Sequence, residues 1–120
     1  MSEQSLAELA VRLREFAAER DWDQFHSPKN LAMALSVEAS ELMEHFQWLT
    51  EEQSSALPPE KMQQVREEIG DVLIYLTRLA DKLGIDPVAA AFEKLEVNQD
   101  KYPADTVRGQ SKKYTEYEHV

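Results

Sequence analysis

Apolar residues recur along this chain at steps of three and four in four separate stretches, the spacing that turns one face of an α-helix toward a core. In the first, residues 6–20, Leu6, Leu9, Ala10, Leu13, Phe16 and Ala17 form the stripe, and Ser5 with Glu8 three residues on makes a capping-box pattern. A loop over 21–26 carries Trp22 and Phe25. Ser27-Pro28 then supplies an N-cap and a proline at the first helical position, opening a second helix to about Trp48. The chain turns polar at 49–57, and Pro58-Pro59 restarts it as a third helix to about Leu83, stopped by Gly84. Asp86-Pro87 repeats the cap-and-proline device for a fourth helix to about Lys101, which Tyr102-Pro103 ends. Residues 104–120 are polar and turn-like, a tail with no core of its own. The expectation is an all-α protein: a four-helix bundle domain over 1–103 and a C-terminal tail over 104–120.

The third helix departs from a simple stripe. Ile69, Val72, Leu73, Ile74, Tyr75, Leu76, Leu79, Ala80 and Leu83 cover more than one of its faces. A helix apolar nearly all round is buried on several sides, and a bundle of this length cannot surround it alone. Homo-oligomerisation is therefore expected.

Composition supports the helical reading and narrows the function. The 120 residues include only three glycines and no cysteine, which excludes disulfides and cysteine-based zinc sites. The first residues carry no signal-peptide pattern and no stretch is apolar enough to span a bilayer, so a cytoplasmic protein with no membrane partner is expected. The formal charge of −10 and pI near 4.7 disfavour a nucleic-acid polymer as partner. A small phosphorylated ligand remains compatible, because a divalent cation inverts the local field at a carboxylate cluster.

Such a cluster is what the periodicity singles out. Along the second helix the stripe Leu31, Leu35, Glu38, Leu42, His45 admits Glu38 into the apolar seam, with Glu41 one turn on. In the third helix Val65, Glu68, Ile69, Val72 and Leu76 make the matching seam, interrupted by Glu68, and Asp71 follows three residues later. If the two helices pack antiparallel, the four side chains converge. Converging carboxylates repel and resist desolvation, so they call for protons, basic partners or metal. All-oxygen ligation favours Mg²⁺, with Mn²⁺ possible. The alternative is a solvated helix edge, where most Glu residues lie. A di-iron bundle would want Glu-x-x-His on two helices; His45 follows Glu41 by four residues and the third helix has no His.

Glu38-x-x-Glu41, 26 intervening residues (42–67) and Glu68-x-x-Asp71 together resemble the metal motif of the MazG-like all-α NTP pyrophosphatases. The flanks resemble the dCTP pyrophosphatase branch: Arg20 through His26, Asn30-Leu31, Glu38 through Trp48, Glu67 through Leu76, and Lys112-Lys113-Tyr114-Thr115-Glu116. The resemblance runs from about Leu13 to Glu116. It implies a tetramer of four-helix-type subunits, Mg²⁺ at Glu38, Glu41, Glu68 and Asp71, and hydrolysis of a dNTP (dCTP or a modified dCTP first) to the monophosphate and pyrophosphate. It further implies that aromatics at Trp22 and Trp48 enclose the base, with His26 and Tyr75 contributing, and that Lys94 and Asn98 contact phosphates or sugar. Leu13 stands where some relatives of that branch carry a His near the base.

Each of these residues also has a plainer reading. Aromatic faces stack on nucleobases, worth about 1–3 kcal/mol per base, yet Trp22 and Trp48 would equally staple loops onto the bundle. Tyr75, one turn beyond Asp71, reaches either the site mouth or the core. Arg108, Lys112 and Lys113 form a basic cluster in an acidic protein and would either be solvated or fold over a triphosphate. Two rivals stand beside the dCTP reading: a broad-specificity pyrophosphatase for non-standard nucleotides, and a non-catalytic helical oligomer that senses nucleotide or binds a partner.

Overall fold

The structure, a computed structural model, describes residues 4–111 and 115, and contains no strand among them. Six α-helices follow one another: α1 (Leu6–Glu19), α2 (Pro28–Glu44), α3 (Glu51–Ser54), α4 (Pro59–Lys82), α5 (Pro87–Lys101) and α6 (Ala104–Val107), with a 3₁₀ turn at Asp23–Phe25. The second, third and fourth helices expected from the sequence are α2, α4 and α5. Two short helices occupy segments expected as plain connections, α3 in 49–57 and α6 at the start of the tail. The second helix stops at Glu44, short of Trp48, and residues 45–48 form turns.

The ends are made by the chemistry expected of them. Ser5 Oγ accepts from the Glu8 amide and Ser27 Oγ from the Asn30 amide, both at 3.1 Å, and Pro28 takes the first position of α2. Thr50 and Gln53 complete a reciprocal capping box on α3. Asp86 Oδ1 accepts from the amides of Val88 and Ala89. Gly84 ends α4 in the left-handed region (φ 67°), which lets the Ile85 amide reach back to the Ala80 carbonyl. At the end of α1 a non-glycine residue performs the same turn: Asp21 sits at φ 54° and the Trp22 amide reaches the Ala17 carbonyl. That turn swings the chain out of α1 and places Trp22 and the 3₁₀ turn beside it.

The chain divides into two compact units, Met1–Ile85 and Asp86–Val120. In the first, α2 packs most extensively on α4, and α1 packs on α4 and on the 3₁₀ turn. Its core is small: Ala17, Leu31, Val65 and Ala80 are buried, with Leu31 the largest at 1% exposure. Polar Thr77 and charged Arg78 are buried with them. Ile69, Leu73 and Leu76 remain exposed on α4, the helix whose apolar residues cover more than one face. The second unit contains α5 and α6; Phe92, Leu95 and Val97 of α5 are exposed. Among the described residues no helix is long and apolar enough to cross a membrane.

Candidate functional site

Glu38 and Glu41 lie on consecutive turns of α2, and Glu68 lies in the middle of α4. Glu38 stands opposite Glu68 and His45 opposite Lys61, so one sequence number falls as the other rises and the helices run antiparallel. The convergence expected from the seams is met by three of the four carboxylates: one oxygen from each of Glu38, Glu41 and Glu68 lies within 4.8 Å of the others. Glu38 and Glu68 are half-buried and Glu41 is exposed.

Glu38 Oε2 and Glu68 Oε1 are buried and have no hydrogen-bond partner. Acceptors in that condition each forfeit about 1–3 kcal/mol relative to hydration. The neighbouring Glu68 carboxyl pushes Glu38 above the usual carboxylate range, and burial adds to the effect. Glu41 is pushed up as well, first by its neighbour Glu38. Anionic oxygens that crowd together with unsatisfied lone pairs fit a hard divalent cation. Asp71 is exposed on α4 and lies outside the 4.8 Å group, though its charge is among those that raise Glu38.

Beside α1 the same unit holds a cavity of about 210 Å³ lined by Leu13, Phe16, Ala17, Trp22, His26, Ile74, Tyr75 and Arg78. Trp22 meets Phe16 edge to face at 5.7 Å and tilts against His26 at 6.5 Å between ring centres. Arg78 holds the polar side of this cavity. Its Nη2 donates to Asp23 Oδ1 at 2.6 Å and its Nε donates to His26 Nδ1 at 3.3 Å. Lys82 Nζ donates to the same Asp23 oxygen at 2.6 Å, and Asp81 accepts two hydrogen bonds from Arg14. Lys82 first, with Arg78, holds Asp23 below the usual range, and Arg14 does the same for Asp81. Burial, assisted by the Arg78 charge, pushes His26 down.

Trp48 is in the turn after α2, 87% exposed, and is not part of this lining. Lys94 and Asn98 are on α5, in the second unit. Arg108 follows α6 and pairs with Asp105 at 3.6 Å. Lys112 and Lys113 lie outside the described residues. His45 is half-buried, with Lys61 Nζ 3.2 Å from its Nδ1.

Three contributors went unnoticed in the sequence: Arg78, Asp23 and Lys82. Their signal was present, since Tyr75, Arg78 and Lys82 continue down one side of α4 at steps of three and four from Asp71. An arginine between Thr77 and Leu79 in an otherwise apolar run needs a partner, but the sequence does not show that Asp23 would supply it.

The profile of the MazG-like family matches residues 33–117, from α2 to the tail. Human dCTP pyrophosphatase 1 is 46% identical over 107 residues, which cover 88% of this chain and 63% of that protein. The bovine protein of the same name is 42% identical over 120 residues, covering 98% of this chain and 71% of its own length. The chain thus spans less than two thirds of the human relative. Among solved structures, a pyrophosphatase from Archaeoglobus fulgidus superposes with a TM-score of 0.78 at 41% identity, covering 86% of this chain and 96% of that one.

Proposed function

Because the chain belongs to the MazG-like family, we propose that it is a Mg²⁺-dependent pyrophosphohydrolase converting a dNTP, dCTP or a modified dCTP foremost, to dNMP and pyrophosphate. The single observation that carries the reading is the pair of buried, partnerless oxygens on Glu38 and Glu68 within a three-carboxylate group. Relatives named as dCTP pyrophosphatases at 42–46% identity support this substrate class.

Glu38, Glu41 and Glu68 would hold Mg²⁺ (or Mn²⁺), with Asp71 completing the set from the next turn of α4. The bound cation would neutralise phosphate charge and activate water. Glu41, the exposed member, is suited to take a proton from the attacking water as the α–β phosphoanhydride opens. Trp22, His26 and Tyr75 form one cavity wall with Phe16 and would enclose the base. Trp48, Lys94, Asn98, Arg108, Lys112 and Lys113 are proposed substrate contacts on the family resemblance alone. The same resemblance supports a four-helix-type domain over 1–103 that assembles as a tetramer, and the exposed Ile69, Leu73 and Leu76 on α4 support association.

Leu13 lines the cavity where a polar group would discriminate bases, an observation that favours broader specificity as the second reading. The deciding experiment compares kcat/KM for the four dNTPs, the NTPs and 5-substituted dCTPs with Mg²⁺. Clear preference for dCTP or its derivatives supports the first reading, equal turnover across bases the second, and no turnover of any rejects both.

A further inference from the structure

We propose that Arg78 is a positioning residue that locks His26 as the Nε2–H tautomer, so that the cavity presents one fixed hydrogen-bond donor to an acceptor on the edge of the base. The inference rests on the nucleotide reading above for its ligand and on the Arg78–His26–Asp23 geometry for its mechanism.

A guanidinium has donors and no acceptor and stays charged. When Arg78 Nε donates to His26 Nδ1, that nitrogen must offer its lone pair, and the ring proton of the neutral imidazole sits on Nε2. Arg78 is itself fixed: its side chain is 6% exposed, with Asp23 at 2.6 Å and Asp81 at 3.7 Å. The charged groups around His26 are Arg78 and Lys82 from α4 and Asp23 from the 3₁₀ turn. Both cations donate to Asp23 Oδ1, and with Arg78 Nε on His26 Nδ1 the ring has no proton there to give to Asp23. Without Arg78 the preference reverses. Asp23 would then draw the ring proton to Nδ1, leaving Nε2 as an acceptor, and the cavity would repel the group it now binds. His26 also lines the cavity together with Trp22 and Tyr75, so its orientation bears directly on whatever fills that space.

The tautomer is read first on the unmodified chain, by long-range ¹H–¹⁵N NMR of the His26 ring, which needs no turnover. A pyridine-type Nδ1 with a pyrrole-type Nε2 is expected at neutral pH; the opposite assignment overturns the proposal. The second readout is the affinity for deoxycytidine, which has no phosphate to titrate, by calorimetry at pH 8 and pH 5.5. The unmodified protein should bind alike at both. Arg78→Met should bind about tenfold more weakly at pH 8, the size of one lost hydrogen bond. It should recover at pH 5.5, where the imidazolium again carries a proton on Nε2. Weak binding at both pH values, or none lost at either, contradicts the proposal. Should Arg78→Met fail to fold, Asp23→Asn, which removes the anchor of Arg78 at an exposed position, is read by the same NMR signal and should show mixed tautomers. A locked tautomer with deoxycytidine binding but no dCTP hydrolysis would reject the enzymatic reading while leaving this one standing; hydrolysis with the reverse tautomer would do the opposite.

Discussion

Replacing Glu38 by Gln should stabilise the metal-free protein and remove its response to Mg²⁺. Glu38 and Glu68 present oxygens no more than 4.8 Å apart. Two unit charges at that separation repel by about 3.5 kcal/mol at an effective dielectric of 20 and about 0.9 kcal/mol in water. Both side chains are only half-buried, so screening brings the figure to about 1–2 kcal/mol. Gln removes that repulsion while keeping the shape. For a chain of this length the gain corresponds to a Tm about 4–8 °C higher. The parent protein starts lower but gains about 2.7 kcal/mol at a Mg²⁺ concentration one hundred times its Kd, about 10 °C. The order of the two melting curves should therefore invert on adding Mg²⁺. Scanning calorimetry with EDTA and then with excess Mg²⁺ reads both effects. If Glu38→Gln melts at or below the parent in EDTA, or still rises with Mg²⁺, the carboxylate group is not a strained cation site.

Acidity should act in two opposed windows. Glu38 and Glu41 are raised in the folded state, so their contribution favours folding below the ordinary carboxylate range and is lost as pH rises through their folded values. Asp23 and Asp81 are lowered, so theirs is present above that range and lost as pH falls through their folded values. Because His26 is lowered and costs stability below the ordinary imidazole range, the carboxylate gain is read as a difference: without metal, the Tm of the parent minus that of Glu38→Gln should rise as pH falls into the carboxylate range, and a difference independent of pH would contradict the assignment. Asp21→Gly should raise stability by about 0.5–1 kcal/mol, since glycine takes φ 54° without strain, while Gly84→Ala should lower it by about 1–2 kcal/mol. Urea titrations with opposite signs for the two check this. Leu31→Ala, at the largest fully buried side chain, should cost about 2–5 kcal/mol, and a loss under 1 kcal/mol would move the core elsewhere.

The sequence carried the helices well because their ends are written in residue type: Ser27-Pro28, Asp86-Pro87 and Gly84 each do what their chemistry requires. It carried the carboxylate group because Glu38 and Glu68 violate an apolar period, and a violated period is visible without coordinates. Asp21 was not legible as a helix stop, since an aspartate enters the left-handed region more often than most residues but far less often than glycine. Nor was the end of α2 at Glu44, because His45-Phe46-Gln47-Trp48 keeps a helical pattern while the chain turns toward α3. The polar wall of the cavity beside α1 needed three-dimensional information for a different reason: Arg78 is joined to Asp23 and His26 across more than fifty positions. Phe16, counted as core from its period, lines the cavity instead.

The central claim is the reaction itself, and ³¹P NMR of dCTP incubated with the protein and Mg²⁺ tests it most directly. The expected spectrum shows dCMP and pyrophosphate growing together, with no growth in EDTA or with Glu68→Gln. Orthophosphate as the product, or unchanged dCTP with Mg²⁺ present, would contradict the account.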